Sequence, residues 1–208
     1  MAGRKILITA GPTKEPIDPV RFISNASTGK MGLALTDAAL KAGCSVTLIT
    51  SLAEVKPRKD LEIIHVTSAK QMTWAVKKHF AGCDCLIMAA AVADYTPAKV
   101  SKTKLKKTPE KLTIELKPTT DILKWAGKNK KQGQFLVGFA LEDKAIKIRA
   151  EKKMVEKNLD MIIANAPSAI GADSSKLFIK RKNSDWLTLP ETKKTIAAKK
   201  IIKMISQS

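Results

Sequence analysis

Six apolar runs punctuate the chain. Residues 4–10 (RKILITA), 45–50 (SVTLIT), 61–66 (LEIIHV), 83–90 (CDCLIMAA), 135–140 (FLVGFA) and 160–165 (DMIIAN) read as strands. Their hydrophobicity is nearly continuous rather than alternating, which suits strands covered on both faces. Helix-length segments separate them at about 30–42, 69–80, 120–130, 142–158 and 191–206. Strand and helix in repetition predict an α/β fold, a Rossmann-like doubly wound and mostly parallel sheet, in one domain over residues 1–208. Late in the chain KLFIKRK, Asn183-Ser184 and DWLTLP predict a C-terminal hairpin on one edge.

Two segments interrupt this rhythm. The connection between the first strand and the first helix, residues 11–29 (GPTKEPIDPVRFISNASTG), is far longer than such a connection needs to be, and loops of that length in a compact domain are usually functional. Residues 94–118 are rich in Lys and carry three prolines. Leu112, Ile114 and Leu116 alternate there as one strand would, so a flap or β-arm is expected over about 95–118.

Composition narrows the class. Hydrophobic residues make up 44 % of the 208 and charged residues 27 %, as in ordinary globular proteins. No apolar run reaches the roughly 18 residues of a membrane span, and the first ten residues read as a strand rather than a leader, so a cytoplasmic protein is expected. Cys44, Cys83 and Cys85 are few and odd in number, which fits that compartment. Cys83 and Cys85 have no nearby His to complete a metal site, and they read as small residues in or beside a strand. The 38 Lys and Arg against 19 Asp and Glu give a net charge of +19, which implies an anionic partner. Only five are Arg (Arg4, Arg21, Arg58, Arg149, Arg181), and the lysines are spread along the chain. That argues for phosphorylated small molecules over dedicated nucleic-acid binding.

Three motifs tempt and fail. Gly29 and Gly32 supply half of a dinucleotide fingerprint, but no acidic residue stands directly after the second strand. Ser27-Thr28-Gly29-Lys30 lacks both the upstream Gly and the following Ser or Thr of a Walker A loop. Tyr95 and Lys99 have the spacing of a dehydrogenase pair, but Pro97 between them precludes the helix that pair requires. His65 and His79 have no partner for a triad. What survives is a glycine-opened helix whose N-terminal N–H groups can receive an anion, with Lys, Asp and Asn as the available chemistry.

Residues 11–32, GPTKEPIDPVRFISNASTGKMG, closely resemble the hallmark of bacterial phosphopantothenoylcysteine synthetases. Further blocks agree in order: Ala89-Ala90-Ala91-Val92-Ala93-Asp94-Tyr95, Lys104-Leu105-Lys106-Lys107, Val137-Gly138-Phe139-Ala140, and Lys157-Asn158-Leu159-Asp160 leading to Ile163-Ala164-Asn165. The resemblance implies a Rossmann-like ligase of coenzyme A biosynthesis. Such an enzyme activates 4'-phosphopantothenate as an acyl cytidylate with CTP, then couples it to L-cysteine. It also implies Asn25 as the residue holding the intermediate and Lys104 as a catalytic lysine on a mobile flap. Ala90, Asp94, Phe139, Lys153 and Lys157 become nucleotide contacts, and Gly11, Ser27 and Gly29 form a phosphate-binding loop. Asp94 further becomes a ligand of Mg²⁺.

Relatives of this kind are often fused to a flavin-dependent decarboxylase half. This sequence opens directly on the synthetase strand, so a stand-alone enzyme without FMN is expected, acting as a homodimer. Residues 117–122 (KPTTDI) depart from the family's K-N-P-D-I form, which leaves contacts from that segment open. CTP against ATP is also left open by the residues themselves. Two rival readings remain for test: an NAD(P)-linked oxidoreductase and a basic nucleic-acid-binding protein.

Overall fold

The computed structural model describes residues 2–207. In chain order the elements are β1 (Lys5–Ala10), β2 (Lys14–Pro16), β3 (Phe22–Ser24), α1 (Lys30–Lys41), β4 (Ser45–Thr50), β5 (Leu61–His65), α2 (Ala69–Phe80), β6 (Cys85–Met88), β7 (Tyr95–Pro97) and β8 (Leu116–Pro118). There follow α3 (Ile122–Asn129), β9 (Phe135–Leu141), α4 (Ile146–Glu156), β10 (Met161–Asn165), β11 (Ser174–Arg181), β12 (Leu187–Lys193) and α5 (Lys194–Ser206).

One eight-stranded sheet organises the molecule, in the order β12-β11-β10-β9-β6-β1-β4-β5. The six strands foreseen from the apolar runs pair in parallel, and β11 and β12 add the antiparallel edge hairpin. Alternate residues of each strand feed two separate cores, which explains the continuous hydrophobicity. Ile6, Ile8, Cys85, Ile87, Met161 and Ile163 face one core, closed by α1 and α5. Leu7, Leu86, Met88, Ile162 and Ala164 face the other, closed by α2, α3 and α4. Each such side chain contributes about 1.5–3 kcal/mol by leaving water. Helices on both faces make the sheet doubly wound, as the sequence pattern implied. The three cysteines are buried and form no disulfide, and burial pushes the Cys83 thiol up to about 12. Cys85 lies in β6 and Cys83 just ahead of it, both packed in the cores.

Three boundaries differ from expectation. The helix foreseen from residue 142 starts at Ile146, because Ala145 takes a left-handed conformation (φ 48°) and Arg149 draws Glu142 and Asp143 into ion pairs ahead of the helix. The last helix starts at Lys194 rather than 191, because Thr192 and Lys193 still pair with Ser175 and Ser174. The alternation of Leu112, Ile114 and Leu116 yields only the short β8, antiparallel to β7. Pro97 ends β7, so Leu112 has no strand to pair with and stays exposed. Among the described residues no helix is long and apolar enough to cross a membrane.

Candidate active site

Strand order fixes where a ligand can sit. From β1 the chain winds towards β4 and β5, and from β6 it winds towards β9 and β10, so the connections part at the β1/β6 boundary. In open α/β sheets the crevice outside the carboxyl ends of such strands is the natural binding place. A cleft of about 540 Å³ lies there, lined by residues from the long first loop, the segment after β6, β9, α4 and the start of α5.

The long loop is built, not slack. It carries the β2–β3 hairpin, and it is stitched to the segment after β6 by Ala91 N–H to the Gly11 carbonyl (3.0 Å) and Thr13 N–H to the Ala91 carbonyl (3.2 Å). Thr13, fully buried, accepts the Ala93 N–H at Oγ1 (2.9 Å). Buried Glu15 accepts the Ala69 N–H (2.8 Å) and so anchors the loop to the start of α2. The loop ends at Gly29, with φ 72°, and a Cβ there would sit 2.7 Å from Leu52 Cδ1 and 3.1 Å from the Gly11 Cα. Glycine is therefore required by both torsion and space. Gly32 lets α1 close onto β1, since a Cβ would come within 2.5 Å of the Ala10 Cβ.

At the mouth of the cleft Asn25 donates from Nδ2 to the Ala91 and Val92 carbonyls (3.2 and 3.3 Å), which leaves its Oδ1 without a partner among the described residues. α1 opens at Gly29 without a side-chain cap and with no acidic residue in its first turn. Its first N–H groups are thus open to an anion. Ser27 lines the cleft beside it and accepts the Gly29 N–H at 3.3 Å.

The opposite wall carries charge. Lys153 donates to the Phe139 carbonyl (2.8 Å), and burial first, then the nearby Lys157, lowers its pKa. Lys157 pairs with Asp121 at 2.8 Å. Burial alone would raise the Asp121 pKa, but the Lys157 hydrogen bond, the Lys124 N–H and the charge of Lys153 outweigh it and hold the carboxyl low. Asp94 is exposed at the rim, and its backbone carbonyl accepts the Thr119 N–H. Four lysines (30, 153, 157 and 194) and two carboxylates (Asp94 and Asp121) line the cleft, so it favours anions.

Over residues 1–208 the chain matches the family described as DNA/pantothenate metabolism flavoprotein C-terminal domain. It belongs to that family. The chain is 44 % identical over 211 residues to the Coenzyme A biosynthesis bifunctional protein CoaBC of Bacillus subtilis (strain 168), covering 99 % of this chain and 52 % of that protein. It is 45 % identical to a protein named Cysteine/Cysteine sulfinic acid decarboxylase from an unknown prokaryotic organism, covering 98 % of this chain and 58 % of that protein. The crystal structure of the C-terminal domain of CoaBC superposes with a TM-score of 0.85 at 38 % identity, covering 100 % of this chain and 96 % of that one. The chain spans about half the length of the curated relatives it matches.

Within this family domain, Asn25, Ser27, Gly29, Ala90, Asp94, Phe139, Lys153 and Lys157 all meet at the one cleft. Two expected residues do not line it. Gly11 sits behind Gly29 and shapes the loop from beneath. Lys104 is exposed on the segment between β7 and β8. Its neighbour Leu105 is clamped: its N–H donates to Asp18 Oδ2 (3.1 Å) and its carbonyl accepts from Arg21 Nη2 (2.7 Å). Asp18 is buried and also accepts the Val20 and Arg21 N–H groups (2.8 Å each). The Arg21 guanidinium holds its carboxyl well below the usual carboxylate range. This clamp escaped the sequence reading, as did Lys194 and Asp121. Asp-Pro-Val-Arg signals a turn, but nothing local says that the turn will grip a segment some 80 residues later. The two histidines lie away from the cleft lining.

Carboxylates do not cluster at the cleft, and no group of three or more potential metal-ligating side chains exists among the described residues. Mg²⁺ commonly takes one or two carboxylates and completes its shell with water and ligand phosphates. Asp94, whose carboxylate makes no hydrogen bond or ion pair among the described residues and faces the charge of Lys153, fits that role better than Asp121, which Lys157 occupies.

Proposed function

We propose that this domain is a phosphopantothenate–cysteine ligase of coenzyme A biosynthesis, working in the cytoplasm as a homodimer with CTP. The observation that carries this is the convergence of Asn25, the open N-terminus of α1, Asp94 and the Lys153–Lys157 pair on one anion-favouring cleft at the strand-order switch point. Membership of a pantothenate-metabolism family supports the substrate class.

The chemistry follows from the arrangement. A carboxylate is inert to an amine at neutral pH. In the first step a carboxylate oxygen of 4'-phosphopantothenate bonds to the α-phosphorus of CTP, the bond from that phosphorus to the bridging oxygen breaks, and pyrophosphate leaves. In the second, the cysteine amine attacks the acyl carbon, the bond to the cytidylate oxygen breaks, CMP leaves, and the amine's proton passes to solvent. The protein positions the reactants and stabilises phosphate charge. Asn25 holds the acyl cytidylate, since its amide donates and accepts without adding charge. The α1 N-terminus, Lys153 and Lys157 take phosphate oxygens. Lys104 reaches the nucleotide when the flap closes. Asp94 would hold Mg²⁺, whose chemistry is to neutralise phosphate charge. Exposed Val20, Phe22, Tyr95 and Leu116 lie on the two small hairpins, which pack together, and support a partner subunit there.

Pyrophosphate release tests the reading. It should require 4'-phosphopantothenate together with CTP and Mg²⁺, with ATP run alongside and CO₂ release from cysteine as a control. No release with either nucleotide would sink the ligase. Asn25→Asp should still release pyrophosphate yet form little amide; full amide formation removes Asn25 from its role. Light scattering decides the dimer.

A further inference from the structure

The cleft has a second cationic end that none of the residues assigned above accounts for. Lys30 and Lys194 both line it, where the start of α1 meets the start of α5 and residues 166–173. Lys194 is only 8 % exposed, and of its three N–H groups one is committed, to the Ala169 carbonyl at 3.1 Å. Burial first, and then the nearby Lys30, lowers its pKa. Lys30 Nζ is held between the Gly171 carbonyl (3.1 Å) and the Asp173 carboxylate (2.6 Å).

Asp173 is the carboxylate that pairs with Lys30 and faces Lys194. It is held low by the Lys30 hydrogen bond first, then by the charges of Lys30, Lys194 and Lys193. One largely exposed carboxylate (86 % side-chain exposure) therefore answers three cations. The surplus charge, one cation of it buried, lies at the same end as α1, whose first N–H groups lack a side-chain cap. A buried ammonium without its own carboxylate is unfavourable unless an anion arrives to meet it. The helix N-terminus and the buried lysine are independent features that point to the same occupant.

We propose that Lys30 and Lys194 form a phosphoryl subsite at the α1 end of the cleft, with Asp173 acting as an internal competitor that a phosphorylated ligand displaces from Lys30. The inference rests on the ligase reading only for the ligand's identity: the polyphosphate of the nucleotide or the phosphate of 4'-phosphopantothenate. Lys30 and Lys194 are binding residues here, and Asp173 tunes the affinity.

Calorimetry with inorganic pyrophosphate on the full chain tests the subsite without needing turnover. Lys30→Gln and Lys194→Gln should each weaken binding about tenfold, the loss expected from one charge-assisted hydrogen bond. Lys194→Arg should recover most of it, and Asp173→Asn should tighten binding severalfold. The opposite signs discriminate, because a purely structural cluster would be impaired by all of these changes. If Lys194→Gln does not fold, Lys30, whose side chain is 46 % exposed, and Asp173 carry the test. In steady-state assays, a raised KM for the nucleotide alone assigns the subsite to its polyphosphate; a raised KM for 4'-phosphopantothenate alone assigns it to that phosphate. Undetectable pyrophosphate binding by the wild type overturns the proposal. So does binding within twofold of wild type in Lys30→Gln, or weakened binding in Asp173→Asn. A wild type that binds pyrophosphate but never turns over would sink the ligase reading and leave the subsite standing.

Discussion

The two long excursions beside the cleft are held in opposite ways. Residues 11–29 are pinned from within: Thr13, Glu15 and Asp18 are 0–3 % exposed, and each accepts a backbone N–H. Residues 98–115 are mostly exposed, and they are joined to the body chiefly at Leu105 and at Ser101, whose N–H donates to the Ile17 carbonyl (3.0 Å). Both anchor points reach back to the tip of the first loop. A pre-formed loop thus supports a loosely tethered flap, which is what a site needs if it must hold an intermediate firmly and still admit substrates.

The comparison breaks most severely at Gly29. Gly29→Val should destabilise the fold by roughly 2–6 kcal/mol, combining left-handed strain with overpacking against Leu52; chemical denaturation measures it. Thr13→Val keeps the shape but leaves the Ala93 N–H unmet in a buried position, which should cost about 1–3 kcal/mol by the same measurement. Asp18 sharpens the contrast through pH. Its folded pKa lies below its ordinary 3.8, so its contribution is present above that value and fades as pH falls below it towards the folded pKa. The melting temperature of Asp18→Asn should therefore decline less steeply than that of the wild type between about pH 4 and pH 2. Arg21→Ala should lower stability measurably, because it leaves the buried Asp18 carboxylate with backbone N–H partners alone. It should also speed hydrogen exchange across residues 99–115 and raise the KM for the nucleotide. Leu112→Ser should fall within about 0.5 kcal/mol of wild type in the monomer, and any larger loss would show that the flap is covered.

Much of this was legible in the chain. The strands followed from apolar runs because a strand buried on both faces has no polar side to show, and the two cores filled by alternate residues of β1, β6 and β10 are the same fact seen in three dimensions. Short-range rules fared worse where a partner decided the outcome. The Leu112–Leu116 alternation looked like a strand, but β7 is too short to pair with it. Glu191–Lys193 looked helical, but a neighbouring strand claimed them.

Sequence by itself determined the sheet, its two covered faces, and the glycine-opened helix at the cleft, because those depend on side-chain type and local periodicity. The family resemblance, carried by motif blocks far apart in the chain, pointed to Asn25, Asp94, Phe139, Lys153 and Lys157, and the tertiary structure brought them together at the β1/β6 switch point. Only that structure decided that Asp18 and Arg21 grip Leu105, that Lys157 is tied to Asp121, and that Lys194 is buried beside Lys30 and Asp173. Each of these joins residues whose electrostatics depend on distance through space and on exclusion of water, and neither quantity is written along the chain.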